Sequence, residues 1–284
     1  MSGKAEIVSG EHGPALLEGP ATALSWLTIL PVGGVATAFD RTTGRRVMNS
    51  LPIVGLVLAV PTMLLILGLS AIGTPSMLVA VLCVAGWQWG TRMLHLDGLA
   101  DVGDALGSLA DPAAARLILA DKYTGALGMG VSMLTLLTQV AALTAILERV
   151  PAPASAAAIG VILVVSRIAG MIPCHRKFHP LSAHGFGAMI IGTVSSRAIA
   201  AWAIPLAAAV AALGVSSPTG WLLALPALCA LGAALAAGTG LARRLHSRFE
   251  GLNGDCVGAT IELTAAGAAV MFVIAFQATH TLLL

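Results

Sequence analysis

Residues 95–125 read HLDGLADVGDALGSLADPAAARLILADKYTG and hold five of the seven aspartates in the 284-residue chain. On either side the sequence is largely apolar. Hydrophobic residues fill 57% of all positions and charged residues only 10%, and mean hydropathy is +0.93. A soluble domain averages about 25% charged residues, so the chain reads as one that crosses a bilayer several times, with a single acidic segment set among its spans. The formal net charge of +2 is too small to suggest a nucleic-acid partner, and the placement of the charges says more than their sum. Cys83, Cys174, Cys229 and Cys256 show no CxxC and no Cys/His pairing at zinc spacing, so no thiol chemistry is expected. The first twenty residues form a polar tail without the basic-then-apolar layout of a cleavable signal, leaving insertion to internal spans. Residues 1–284 read as a single integral membrane domain.

A helix needs about 17 to 25 apolar residues to cross a bilayer. Residues 21–35 fall short and end in Pro31, Gly33 and Gly34, which makes them a re-entrant or interfacial segment. Residues 39–46, FDRTTGRR, read as a basic loop. Seven spans are then expected at residues 47–72, 76–94, 126–147, 154–173, 188–215, 221–241 and 261–283. In the fifth, Ser195, Ser196 and Arg197 interrupt the apolar run, so that span is also compatible with a start near residue 198. The expected fold is all-α, a polytopic integral membrane bundle of about seven spans plus a short N-terminal re-entrant or interfacial helix.

Lysine and arginine accumulate on the cytoplasmic side of short loops. If residues 39–46 are cytoplasmic, alternation puts the loops near 95–125, 174–187 and 242–260 on the same side. Together with their flanks they hold Arg41, Arg45, Arg46, Arg92, Arg116, Lys122, Arg176, Lys177, Arg243, Arg244 and Arg248, against Arg149 alone on the opposite face. The expectation is a multi-pass protein of the cell (inner) membrane with its polar loops inside.

Asp97, Asp101 and Asp104 are spaced i, i+4, i+7, which on a helix leaves them within about 60° of one another. Like charges at this spacing repel, and Gly98 and Gly103 weaken the helix further, by about 1 kcal/mol each relative to alanine. A segment so costly is explained by a bound cation. Hard oxygen donors with no thiolate nearby favour Mg²⁺ or Mn²⁺ and, with substrate phosphate oxygens, make a magnesium–phosphate site; the plain alternative is a solvated acidic face. His95 falls on the opposite side of that helix and reads as a packing or capping residue. Asp111-Pro112 reads as a helix start. It leads to Arg116 and Lys122, which either meet phosphate or pair with the acids.

A second polar constellation, NGDCVGATIE at residues 253–262, opens the last span. Asp255 and Glu262, seven apart, share a helix face; Asn253 precedes them. Glu262 lies a turn inside the apolar run, where a carboxylate must face the bundle interior with a partner, whether substrate or a structural hydrogen bond. Gly254 and Gly258 stand at GxxxG spacing, which suits close helix packing. The loop from Cys174 to His184, with Arg176 and Lys177, reads as an anion-binding loop or as ordinary cytoplasmic charge. Arg167, inside the fourth span, needs an anionic partner.

The string H-L-D-G-L-A-D-x-x-D at His95 to Asp104 closely resembles the signature of the adenosylcobinamide-GDP ribazoletransferase (cobalamin synthase) family. The likeness extends to LTILPVGG at residues 27–34, LPIVGLVL at 51–58, D-x-x-x-G from Asp121 to Gly125 and GDxxGAxxE from Gly254 to Glu262. It departs at Ile29, where the family usually has arginine, and at Lys122-Tyr123 in place of Ser-Arg. The resemblance implies that α-ribazole or its 5′-phosphate displaces GMP from adenosylcobinamide-GDP. For that reaction Asp97, Asp101 and Asp104 are expected to hold Mg²⁺ on the pyrophosphate, one of them or Asp121 to take the hydroxyl proton, and Asp255 and Glu262 to complete the metal shell or orient the acceptor. The partners implied are these small molecules and the lipid bilayer, with oligomerisation left open. A CDP-alcohol phosphatidyltransferase is the rival enzyme, but its D-x-x-D-G-x-x-A-R motif fails at Leu94. A transporter would more often show repeated halves; no repeat is visible here, and the acids cluster at one surface.

Overall fold

In the computed structural model, which describes residues 8, 10–216 and 220–283, the chain is an all-α membrane bundle. Among those residues β pairing is confined to isolated bridges. Six helices are long and apolar enough to cross a membrane: α3 (Leu51–Ala71), α7 (Ala126–Arg149), α8 (Ala152–Gly170) with the 3-10 turn that follows it, α10 (Ser196–Val215), α11 (Trp221–Phe249) and α12 (Gly254–Leu283). The expected second span is instead a broken pair, α4 (Ser76–Gly90) and α5 (Leu94–Gly107), bent by 90°. At 1.5 Å per residue α4 is about 22 Å long. The acidic helix α5 turns away from it and runs across the end of the bundle, outside the spans.

The most enclosed span is α8, where every residue of 162–170 is buried. Small residues such as Ala156, Gly160, Ser166 and Ala169 let α3, α11 and α12 close around it, the usual device where helices pack without a hydrophobic driving force between them.

Three boundaries differ from the sequence reading. Residues 39–46 are not a loop but the start of α2 (Arg41–Asn49), because the Asp40 carboxylate accepts the N–H groups of Thr42 at 2.8 Å and Thr43 at 2.9 Å. The chain then bends at Ser50 before α3 begins, so residues 47–50 belong to α2 and its end. In the fifth span, residues 188–195 do not join the helix. They hold the end of a short α9 (Gly185–Ile190), a left-handed Gly192 and Val194, which pairs with residues 174–176, before Ser195 caps α10. At the N-terminus, α1 (Ala15–Leu27) starts inside the stretch read as a polar tail and is too short to span; residues 1–7 and 9 of that tail lie outside the described residues. The short α6 (Pro112–Leu119) completes the set.

One ionic knot holds α1 to α2. Glu18, 5% exposed, accepts from Arg46 at 2.6 Å and from the Gly13 N–H at 2.5 Å, and His12 bridges Glu18 and Asp40 at 3.1 Å each. Its hydrogen bonds to Glu18 and then Asp40 raise His12 above 6.5. Burial works against ionised Glu18, yet Gly13, Arg46 and His12 outweigh it and the carboxyl is lowered below 4.5. A raised histidine stabilises in full below its ordinary value and loses that stabilisation as pH climbs past the raised one, whereas a lowered carboxyl loses its contribution as pH falls. Limited proteolysis around residues 10–14 should therefore be slowest between pH 4.5 and 6.5, and His12→Ala should remove the alkaline limb of the profile.

Candidate active site

The acidic helix is aimed by a corner at residues 91–93. Arg92 and Met93 sit in the left-handed region at φ 55° and 56°, uncommon for residues other than glycine. The corner is closed by the Met93 N–H on the Gln88 carbonyl at 2.7 Å and by Thr91 Oγ1 on the Trp87 carbonyl at 2.9 Å. From there α5 packs against α12 and α7. Its approach to α12 is backbone to backbone: a Cβ at Gly98 would stand 2.8 Å from Asp255 Cα, and one at Gly258 2.9 Å from the His95 carbonyl oxygen. Only glycine fits at both points, and the crossing lays Asp255 against the turn of α5 between Asp97 and Asp101. Asn253 steadies the start of α12, accepting the Cys256 N–H at 3.2 Å and donating to Asp255 Oδ2 at 2.5 Å.

Five aspartates thus meet at one end of the molecule. Asp101, half-buried, is pushed up to about 7, first by burial and then by the charges of Asp255, Asp97, Asp104 and Asp121. Among the described residues no lysine, arginine or histidine nitrogen lies within 4.0 Å of any of the five carboxylates. Relief comes from the Asn253 amide at Asp255 and otherwise from backbone N–H groups. Asp104 accepts the Gly125 N–H at 2.6 Å and the Gly128 N–H at 2.8 Å, so it anchors the first turn of α7. Asp121 accepts the Tyr123 N–H at 3.2 Å. No three His, Cys, Asp or Glu side chains among the described residues converge tightly enough to hold a metal ion by themselves.

The other residues singled out in the sequence are dispersed. Asp111 caps α6 as expected, accepting from Ala113 and Ala114 at 2.9 Å. Arg116 pairs with an acid outside the acidic helix, Glu250, and with the Phe249 carbonyl at 3.2 Å; Arg248 reaches the Ala110 carbonyl, so α6 is stapled to the end of α11. Lys122 is exposed, over the Tyr123 ring at 5.0 Å. Arg176 and Lys177 are exposed on a loop held by His175 to Ser196 at 2.8 Å, and neither is ion-paired among the described residues.

Glu262 is not beside Asp255 in depth. Seven residues of helix separate them by about 10 Å along the axis, and Glu262, 4% exposed, is held by Gln88 Nε2 at 3.1 Å and Gln139 Nε2 at 2.8 Å. Both glutamines escaped the sequence reading; the only signal was an amide inside an apolar run. Arg167 is also buried, bonded to Ser166 Oγ at 3.0 Å, with no carboxylate within 4.0 Å among the described residues. His95 is buried, with its backbone against Gly258 of α12.

A family model described as cobalamin-5-phosphate synthase matches residues 19–273. An adenosylcobinamide-GDP ribazoletransferase of Corynebacterium efficiens is 45% identical over 278 residues, covering 97% of this chain and 98% of that protein. The enzyme of the same name from Corynebacterium diphtheriae is 41% identical, with 96% and 98% covered, and that from Thermococcus kodakarensis 32% identical, with 87% and 95% covered. No solved structure matches the chain.

The glycine crossing is open to a direct test. Gly98→Val should drive α5 from α12 at an overpacking cost of about 1–3 kcal/mol, read as a lowered Tm in detergent. Gly86→Val, where an added Cβ has nothing within 4 Å, should leave Tm nearly unchanged.

Proposed function

The chain belongs to the cobalamin-5-phosphate synthase family, and we propose that the acidic end of its bundle is where it joins adenosylcobinamide-GDP to α-ribazole, or to α-ribazole 5′-phosphate, with release of GMP. It is a membrane-embedded transferase of the nucleotide-loop assembly step of cobalamin synthesis. The observation that carries the assignment of the site is the meeting of Asp97 and Asp101 on α5 with Asp255 on α12 and no cationic side chain among the described residues within 4.0 Å of them.

In the reaction a ribose hydroxyl of the acceptor forms a bond to the cobinamide-side phosphorus, the bond from that phosphorus to the GMP oxygen breaks, and the hydroxyl proton leaves. Three carboxylates would repel a pyrophosphate, so the donor set calls for a divalent cation. Oxygen-only donors suit Mg²⁺, which is usually held by one or two carboxylates together with waters and substrate phosphates rather than by an all-protein cage. One or two of Asp97, Asp101 and Asp255 would hold it together with waters and substrate phosphates, and the cation would supply neutralisation of the pyrophosphate charge. Asp104, whose two oxygens each take a backbone N–H, positions α7 and the loop before it. On that loop Asp121, exposed and within Coulombic reach of Asp101, takes the hydroxyl proton.

Lys122, Arg176 and Lys177 are exposed cations that would meet the phosphates of the donor. Arg116 holds α6 in place through Glu250, and Arg167 and Glu262 support the bundle beneath the site. The basic loops favour placing this end on the cytoplasmic side of the inner membrane.

In membranes with intact expression, Asp97→Ala, Asp101→Ala and Asp255→Ala should each lower GMP release about 100-fold or more, the scale of losing one preorganised electrostatic contact; near wild-type rates would overturn the assignment. Chelation should abolish GMP release, and Mg²⁺, but not Zn²⁺, should restore it.

A further inference from the structure

A cavity of about 130 Å³ lies beside the acids, between α5 and α12 on one side and α1, α2 and α3 on the other. Met48, Leu51 and Ile261 are among its apolar walls, Phe186 of α9 contributes an aromatic residue, and His95 and Asp255 are the titratable residues of its lining. The Phe186 ring is braced edge-on by Trp26, with centroids 5.9 Å apart. His95 is 4% exposed, and its Nδ1 is buried without a hydrogen-bond partner in the protein. A buried histidine left short of a hydrogen-bond partner beside an otherwise apolar cavity marks a place where a ligand belongs.

Resting on the phosphoryl-transfer reading above, we propose that this cavity receives the aromatic base of the ribazole acceptor, with Phe186 against the ring and His95 hydrogen-bonded to its one unsubstituted nitrogen. Size decides first. Pockets that enclose a whole small molecule run to about 300–1,000 Å³, so this cavity takes one ring system and neither a nucleotide nor a corrin. Polarity decides between the two bases in the reaction. The acceptor's dimethylbenzimidazole has an apolar rim and a single free ring nitrogen, whereas guanine carries a carbonyl, an amino group and several ring nitrogens. A cavity with one imidazole and one carboxylate would leave most of these unpaired, which is costly. Asp255 belongs to both places, so a base seated here brings its ribose toward the carboxylates proposed to organise the phosphorus.

The test is steady-state GMP release by the full chain in proteoliposomes, varying α-ribazole at saturating adenosylcobinamide-GDP and then the reverse. His95→Phe keeps a ring but removes the nitrogens; Phe186→Leu, at a half-buried position, removes the aromatic face and serves if His95→Phe fails to fold. Each should raise KM for α-ribazole about tenfold, the scale of one lost hydrogen bond or stacking contact, with KM for the donor unchanged. Phe186→Leu should also narrow the wild-type preference for the dimethylated riboside over the riboside of unsubstituted benzimidazole. A shift in donor KM instead would give the cavity to guanine and overturn the proposal. Unchanged acceptor KM in active variants would overturn it while leaving the phosphoryl-transfer reading intact, whereas absence of GMP release by the wild-type chain would defeat both.

Discussion

The contact between α5 and α12 at Gly98 and Gly258 is the constraint on which the rest of the site depends. Two helices from distant parts of the chain approach until an added methyl on either would stand under 3 Å from the other's backbone. Interhelical contact of this kind comes from van der Waals packing of small residues. It fixes Asp255 relative to Asp97 and Asp101 without any ion pair, which leaves the carboxylates free for something other than structure. The α4–α5 corner serves the same end: two left-handed residues cost stability locally, and what they secure is an acidic helix lying across the bundle's end.

Charge on the described chain is distributed by the same logic. The buried carboxylate that serves architecture, Glu18, is matched by Arg46 and His12; the buried carboxylate in the spans, Glu262, is matched by two amides. Arg116, which might have been spent on the acids, is held by Glu250. The acids at the bundle end alone combine partial burial, mutual repulsion and no cationic neighbour. A stability-driven arrangement would not leave them so, and a site that recruits a cation together with an anionic substrate would.

Much of this was legible before any coordinates. Long apolar runs report their spans because a bilayer demands them, and the aspartates at i, i+4, i+7 report a shared face because helical geometry does. The second acidic group was legible in part: Asp255 meets α5 as the ordered motifs implied, but Glu262, on the same helical face, lies too deep to join it. What was hidden depended on long-range packing or on one local hydrogen bond. The Asp40 cap turns an apparently basic loop into α2. Gln88 and Gln139 reach Glu262 from 174 and 123 residues away, and no periodicity announces that. The cavity at His95 exists only once six helices have closed around it.

Asp104 carries a final consequence. Its two oxygens tie α5 to the first turn of α7 through the Gly125 and Gly128 amides, so the segment bearing Asp121 is held at a set distance from the other acids whether or not substrate is present. Order of this kind is bought at folding rather than at each encounter, and it spares binding the entropy of arranging a loop. The enzyme therefore meets its two large substrates with a rigid receiving surface, and the freedom lost on complex formation is chiefly theirs.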